Sequence, residues 1–438
     1  MSLTVRRHTR SAPETGRRLL HGLSGAGPDP ALETHLERWG ALHHPEHGNG
    51  VLRELAASGL VGHGGAWFPV SAKWEAIATA RRRPVVIGNG AEGEPASRKD
   101  ALLLAHAPHL VLDGLALAAS TLRAQRAIAY VPAASVPVVT AAVAERRARR
   151  IDPVDIEVFE SPDTYIAGQE TAVVNALGGR RGALPGFVAL SSIRERGVGG
   201  RPTLVQNAET LAHVALIGRF GAAWFREIGS PETPGTMLLT VNRPGTMLVV
   251  EAVLGSSLRR AAGLQRDELA QVRGILLGGY GGAWVSPGTF GELAVSEKSA
   301  RRAGATFGAG VVALLPHDVC PLAEMADVTR YMEGQGARQC GPCLHGLAEL
   351  AQTMEMLAYG ANGAPRATER ILEICNLVEG RGACRHPDGV ARFVRTGLQV
   401  FADEVARHHH RGPCPQTGAP RVLPVANRAA TRRLVSRS

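Results

Sequence analysis

The amino-acid sequence predicts an α/β domain with a largely parallel sheet, followed by a small α+β module and an α-helical C-terminal bundle. From about residue 50 to 225, strand-like runs such as Pro84-Val85-Val86-Ile87 and Ala127-Ile128-Ala129-Tyr130-Val131 alternate with Ala- and Leu-rich helical stretches such as Leu110 to Leu122. Strands alternating with helices imply βαβ units and a parallel sheet. From about 235 to 315 the pattern changes. Thr236 to Val241, Leu248 to Ala252 and Val311 to Leu315 read as short strands punctuated by glycine, with one helical pattern near Leu264 to Val272. From Pro321 to Glu404 helical patterns take over.

These shifts divide the chain into an arm without sustained periodicity (1–45), an α/β domain (46–230), a small module (235–318), a helical domain (321–408) and a basic, disordered tail (409–438). The composition, 45% hydrophobic and 20% charged with 52 Gly and 27 Pro, is globular and loop-rich. The net charge of +10 gathers at Arg6 to Arg18 and at Arg421 to Arg437. No basic stripe is interleaved with aromatics, so nucleic acid is not an expected partner, whereas basic ends suit acidic partner proteins. No run reaches the ~18 apolar residues of a transmembrane helix. Arg6-Arg7 and Arg17-Arg18 are not followed by an apolar segment of the export type. A cytoplasmic protein is expected, either free or peripheral to a membrane complex.

Four stretches carry residue types suited to ligand chemistry. The first is Gly62-His63-Gly64-Gly65-Ala66-Trp67-Phe68-Pro69, followed by Lys73-Trp74. Adjacent glycines let backbone N–H groups form an anion-binding concavity, and a lysine adds a point charge; read alone, the loop is equally a structural turn. The second, Asn89-Gly90-Ala91-Glu92-Gly93-Glu94-Pro95, follows a strand-like run. Crevices in open α/β sheets lie at the carboxyl ends of strands. Two carboxylates there suit ribose or ribityl hydroxyls, or form a solvated acidic turn. The third runs from Tyr165 through Gly168, Gln169, Glu170 and Thr171 to Gly179-Arg180-Arg181-Gly182. The fourth is Gly200-Arg201-Pro202-Thr203-Leu204-Val205-Gln206-Asn207-Ala208-Glu209-Thr210-Leu211. Each of the last two is, by itself, an ordinary capped helix entry.

Cysteine use points to a metal. Six cysteines lie at 320, 340, 343, 375, 384 and 414, too few and too clustered for a disulfide scaffold. Gln339-Cys340-Gly341-Pro342-Cys343, with Cys384 following Cys343 by 41 residues, is a thiolate spacing suited to iron–sulfur or zinc. His386 is the candidate fourth ligand by proximity in sequence, with Cys375 and Cys414 behind it, and Cys320 reads as a core residue.

In this order the four stretches resemble the NADH-quinone oxidoreductase-F family, the NADH-binding, FMN-containing component of respiratory complex I. The pattern is shared with diaphorase subunits of NAD-reducing hydrogenases and with formate dehydrogenases. The resemblance runs from about residue 55 to 400 and implies an FMN-dependent oxidoreductase. FMN would be held by Gly62, Gly64, Gly65, Lys73, Asn89, Glu92, Tyr165, Gly168, Glu170, Asn207 and Thr210. Phe68 and Glu94 would help to hold NADH, with Glu94 disfavouring a 2′-phosphate, and Glu92 would lie nearest the reacting nicotinamide. The small module would be ubiquitin-like, of the SLBB type. The bundle would hold a 4Fe–4S or 3Fe–4S cluster on Cys340, Cys343 and Cys384.

Several family positions differ. His63 stands for Arg, Trp67 for Gly, Ala76 for an aromatic, Ala91 for Asp, Gln169 for Glu, Gln206 for Asn, and Ala337 for the first cluster cysteine. These changes gather where the family binds NADH and poises the flavin. The main expectation is electron transfer from NADH through FMN and a cluster to complex I-like subunits or a quinone-linked acceptor. The alternative is an NADH-independent flavin and iron–sulfur component that works with a ferredoxin-like partner.

Overall fold

The computed structural model describes residues 17–22, 29–43, 49–179, 193–360 and 366–425. Most of both basic ends, together with Arg180 to Gly182 of the third stretch, lies outside them. Four parallel strands, β1 (Val85–Asn89), β2 (Arg126–Val131), β3 (Ile156–Glu160) and β4 (Thr203–Asn207), form a sheet in the order β3-β2-β1-β4. The inner strands β1, β2 and β4 are largely apolar because both faces are covered, whereas the edge strand β3 alternates and is partly exposed. Val86, Ala127, Ala129 and Leu204 face the helices Pro108–Thr121 and Ala208–Arg226. Val85, Ile87, Ile128, Tyr130 and Val205 join Val173 and Ala176 of the helix Glu170–Leu177 on the other face.

A second, mixed sheet is built from β5 (Thr236–Arg243), β6 (Thr246–Val253), β7 (Val272–Leu277), β8 (Ala283–Val285) and β9 (Val311–Pro316), in the order β6-β5-β9-β7-β8. Pro244-Gly245 turns β5 into β6, with Gly245 at φ +73° as a Pro-Gly turn requires. One face of this sheet, with Leu239, Val241, Ile275, Leu277 and Val312, closes the module's own core. The other, with Leu276, Val311, Ala313 and Leu315, packs against Met325, Phe393 and Leu398 of the helical bundle. That bundle comprises Pro321–Gly334, Leu347–Tyr359, Ala367–Val378, His386–Val400 and Ala402–Arg411.

Three expectations from the sequence are corrected. The arm is anchored: a helix at Leu32–Trp39 buries Leu32, His35 and Trp39, and Arg18 lies buried over the Trp224 ring at 3.5 Å. The helical pattern near 264–272 shrinks to Arg266–Ala270, because Val272 already belongs to β7. Residues 409–425, expected as a disordered tail, lie along the bundle. Val422 N and Leu423 N donate to the buried Glu324 carboxylate at 2.8 and 3.1 Å. No single described helix is long and apolar enough to cross a membrane. The bent pair Lys99–His106 and Pro108–Thr121 reaches that length and composition only together, and both helices contribute to the α/β core.

Candidate functional site

In the first sheet, β2 and β3 extend to one side of β1 and β4 lies on the other, so the strand order reverses between β1 and β4. Ligands of open α/β sheets bind outside the carboxyl ends of strands at such a reversal. The last residues of the two strands are Asn89 and Asn207, and they are register partners. Asn89 Nδ2 donates to Gly168 O at 2.8 Å, and Asn207 Nδ2 donates to Asp100 Oδ2 at 2.8 Å. Asn207 Oδ1 also caps the helix Ala208–Arg226 by accepting from Thr210 N. The second, third and fourth stretches therefore meet at one edge of the sheet.

The glycine loop lies across this edge. His63 N donates to Thr210 Oγ1 at 2.9 Å and Gly62 N to Phe68 O at 2.9 Å, which pins both ends of the loop. A side chain at Gly64 would meet Asn207 Cβ at 3.3 Å, and one at Gly168 would meet the Ala91 carbonyl at 2.9 Å. Both glycines thus let the second, third and fourth stretches and the glycine loop close up at this edge, and the loop's glycine-rich backbone with Lys73 fits a phosphate-bearing cofactor by its donor types. Lys73 Nζ donates to Val205 O at 2.6 Å and pairs with the half-exposed Glu170. Gln206, for a family Asn, accepts from buried Trp74 Nε1 at 3.3 Å. Gln169, for a family Glu, caps the helix Glu170–Leu177 by accepting from Thr171 N and Ala172 N.

The two carboxylates of the second stretch are committed inside the protein, a departure from exposed ligand-receiving groups. Glu92 accepts from Ser97 Oγ, Asp100 N and Ala101 N, capping the helix Lys99–His106. Its carboxyl is raised by burial and by neighbouring Asp100. Glu94 is 5% exposed and accepts from Tyr280 N at 2.7 Å, Ala96 N at 3.1 Å and Tyr165 Oη at 3.2 Å. Burial outweighs these three donors and pushes it up to about 7.

Phe68 is 44% exposed beside the loop, with the Arg194 guanidinium 5.7 Å from its ring centre. Trp67 adopts φ +52°, a left-handed backbone that explains the family's glycine there. Its indole lies 5.8 Å from the Phe307 ring and 5.8 Å edge-on to His63. Beneath the loop, Lys99 Nζ bonds Asp100 and Glu209 at 2.9 Å each. Glu209 approaches His63 Nδ1 at 3.4 Å, and His213 stacks edge-on to His63. Burial and the Lys99 charge hold His63 down to about 3, so it is neutral where the family has Arg. Lys99, Asp100, Glu209 and His213 were not singled out from the sequence. Glu209 and His213, four residues apart on one helix, were the available signal.

The cysteines divide into two sets. Cys340 and Cys343 are buried at the turn between Pro321–Gly334 and Leu347–Tyr359, and Cys384 precedes the helix His386–Val400. The three thiols are close enough for Cys340 and Cys343 to raise Cys384 electrostatically, after burial as the main cause. Arg338 N points at Cys343 Sγ at 3.4 Å, the type of N–H contact that stabilises a thiolate ligand. Ala337 packs with Cys384 against Ile166 and Ala172, beside the third stretch. Three thiols on neighbouring turns of the bundle, with Ala337 where a fourth cysteine would stand, fit by donor chemistry a cluster lacking one cysteine ligand. His386 Nε2 is bonded to Met332 O at 2.9 Å, while its buried Nδ1 has no hydrogen-bond partner. Its ring lies 5.6 Å from that of Tyr165, so the thiol set and the glycine-cradle edge are one connected region. Cys375 is a core residue within Ala367–Val378, while Cys320 and Cys414 come together elsewhere, with Glu404 and His408. An open depression of about 690 Å³ between Arg259, Arg260, Arg266 and Glu292 touches none of these groups.

An α/β domain with an anion cradle at its strand reversal, joined to a thiol-bearing helical bundle, defines the class: a two-centre redox protein. Residues 55–216 match the family model described as the Nuo51 FMN-binding domain. Residues 323–408 match that of the NADH-ubiquinone oxidoreductase-F iron-sulfur binding region. The F-type subunit of NADH-quinone oxidoreductase in Mycobacterium bovis is 30% identical over 397 residues, covering 83% of this chain and 86% of the relative. The mitochondrial NADH dehydrogenase (ubiquinone) flavoprotein 1 of Dictyostelium discoideum is 28% identical over 381 residues, covering 81% and 78%. A crystal structure of an NAD+-reducing NiFe-hydrogenase in the H2-reduced state superposes with TM-score 0.74 at 25% identity, covering 89% of this chain and 67% of that one. The chain belongs to the NADH-quinone oxidoreductase-F family.

Proposed function

We propose that this chain takes electrons from NADH and delivers them to a protein or quinone-linked acceptor. When bound, FMN supplies hydride acceptance and conversion to single electrons, and an iron–sulfur cluster supplies one-electron transfer. The chain's own residues bind and orient. Gly62, Gly64 and Gly65 offer backbone N–H groups to the phosphate, and Lys73 adds a positive charge. Asn89, Tyr165, Gly168, Glu170, Asn207 and Thr210 frame the rest of the flavin. Phe68 receives the dinucleotide, Glu92 stands nearest the nicotinamide, and Glu94, when ionised above about pH 7, adds the negative charge that disfavours a 2′-phosphate. Cys340, Cys343 and Cys384 hold the cluster, 4Fe–4S or 3Fe–4S, with His386 as fourth ligand.

The observation that carries this reading is the Tyr165–His386 contact, which sets the cradle edge and the thiol loop side by side. Such closeness is what single-electron passage between two centres needs. The residue bounds 46–230, 235–318 and 321–408 serve as working domains. The middle one is read as ubiquitin-like because its sheet runs 2-1-5-3-4 in local order, with the outer pairs antiparallel and its first and last strands parallel. Partners would be subunits of a larger complex, in the cytoplasm and peripheral to a membrane.

Trp67 favours a second reading. Its indole packs between His63 of the glycine loop and Phe307, and would narrow the entrance if a dinucleotide came in beside Phe68. The chain would then exchange electrons with a ferredoxin-like protein instead. Anaerobic addition of NADH to flavin-loaded protein separates the two: bleaching of the flavin band supports the first, and bleaching only by reduced ferredoxin supports the second.

A further inference from the structure

We infer that this chain holds a structural zinc ion at a second metal site, formed by Cys320, Glu404, His408 and Cys414. The ligand atoms of these four residues lie within 4.8 Å of one another, and all four residues are buried. Cys320 Sγ is 3.6 Å from His408 Nε2 and 3.9 Å from Glu404 Oε1, and His408 Nε2 is 3.1 Å from Glu404 Oε1. Zinc–sulfur bonds of about 2.3 Å and zinc–nitrogen or –oxygen bonds of about 2.0 Å give tetrahedron edges of roughly 3.3–3.8 Å, the longest between the two sulfurs. The Cys320, Glu404 and His408 spacings need adjustments of a few tenths of an ångström, and Cys414 Sγ, within 4.8 Å of the others, needs at most about 1 Å more.

The surroundings fit a ligated ion. Glu404 and His408 sit one turn apart on the helix Ala402–Arg411, so both project to one side. His408 Nδ1 donates to Leu357 O at 3.2 Å, which leaves the lone pair on Nε2, as a metal-binding histidine requires. Cys414 N donates to that lone pair at 3.3 Å, a long contact that the ion would replace. Two thiolates and a carboxylate exceed the charge of Zn²⁺ by one. Arg407 and Arg273, both paired with Glu404, offset the surplus. Four protein ligands in a closed, buried set with mixed S, N and O donors suit structural zinc rather than iron–sulfur chemistry. Binding would form two Zn–S bonds and release the two thiol protons.

The site is separate from the cluster loop. Cys320 caps one end of the helix Pro321–Gly334 and Cys340 follows the other, about 20 Å away at 1.5 Å per residue. Its location suggests what it does. Cys414 begins the segment that runs back along the bundle, where Arg421 pairs with Asp327 and Pro424 O accepts from Tyr280 Oη. Tyr280 N in turn holds Glu94, so the ion would clamp a strap that reaches the flavin-side loop.

The test is metal analysis of the full chain, isolated anaerobically with its flavin and iron. About one zinc per chain is expected, independent of iron content. Cys414→Ser and His408→Gln should each cut zinc at least roughly tenfold while keeping iron, whereas Cys384→Ser should lose iron and keep zinc. Should the ligand variants fail to fold, cobalt substitution of the unmodified protein serves instead, and the visible ligand-field bands of a tetrahedral thiolate site are expected. Zinc-free protein from zinc-supplemented cells, a Cys320–Cys414 disulfide found by mass spectrometry, or zinc lost with Cys384→Ser would each overturn the inference.

Discussion

Trp67 offers a prediction whose sign runs against ordinary experience. At φ +52° a side chain with a Cβ costs about 1–2 kcal/mol relative to glycine in backbone strain. Glycine offsets part of that difference, because it loses about 0.5–1 kcal/mol more conformational entropy than alanine on folding. The indole is partly buried against Phe307 and His63. Taking about 100 Å² of apolar area at 25 cal/mol per Å², its removal costs roughly 2.5 kcal/mol. Trp67→Ala should therefore destabilise by about 2–3 kcal/mol, and Trp67→Gly by less, the gap being about 0.5–1 kcal/mol in glycine's favour. Urea denaturation of the flavin-loaded variants measures both. Equal midpoints, or a more stable alanine variant, would show that the loop does not hold this residue in the left-handed region. The same pair tests access: if the indole narrows the dinucleotide side, both variants should bind NADH more tightly than the parent.

Lys73→Ala should lower FMN affinity by about 10- to 100-fold, the loss of one charge-assisted contact of roughly 1.5–3 kcal/mol. Its effect on stability should stay below about 1 kcal/mol, because its partner Glu170 is half exposed and the pair is screened; flavin titration by fluorescence with full affinity retained would displace the phosphate from this lysine. Restoring the family's charges with Ala91→Asp and Gln169→Glu should lower the flavin potential. With each charge at ~7 Å and an effective dielectric of about 20, the shift is on the order of 50–100 mV before screening, and a redox titration showing a rise or no change would refute it. Burial raises Glu94 from 4.5 to about 7. The stability it contributes is complete below its unfolded value and is lost as pH rises through about 7. Glu94→Gln should then remove about 3 kcal/mol of the decline in stability between pH 4.5 and 8, and an unchanged slope would show that this carboxyl is already solvated.

Much of the architecture is legible because buried parallel strands are uninterrupted apolar runs: Val85 to Ile87 and Ala127 to Val131 stand out for that reason. The edge strand β3, Ile156-Glu157-Val158-Phe159-Glu160, alternates polar and apolar residues and escaped notice. β4 was hidden inside the fourth stretch, whose Asn207 and Thr210 read as a helix entry; they are that as well. Contacts between distant segments left no local trace. Glu324 anchors Val422 and Leu423 from 98 and 99 residues away, so the tail looked unattached. Cys320 and Cys414 are separated by most of the helical bundle; the first reads as a core residue and the second as a candidate fourth cluster ligand, and the structure brings them together instead. Trp67 could be flagged only because relatives carry glycine, and the positive φ supplies the physical reason.

The central claim is that NADH reduces both centres of this chain. Anaerobic titration of the flavin- and cluster-loaded protein, followed by flavin absorbance and low-temperature EPR on the same samples, measures that directly. Two electrons per NADH, against two for the flavin and one for the cluster, predict flavin bleaching with the cluster's EPR change, a signal gained for 4Fe–4S or lost for 3Fe–4S, complete near about 1.5 equivalents. Flavin that stays oxidised under excess NADH, yet bleaches with dithionite, would contradict the proposed donor.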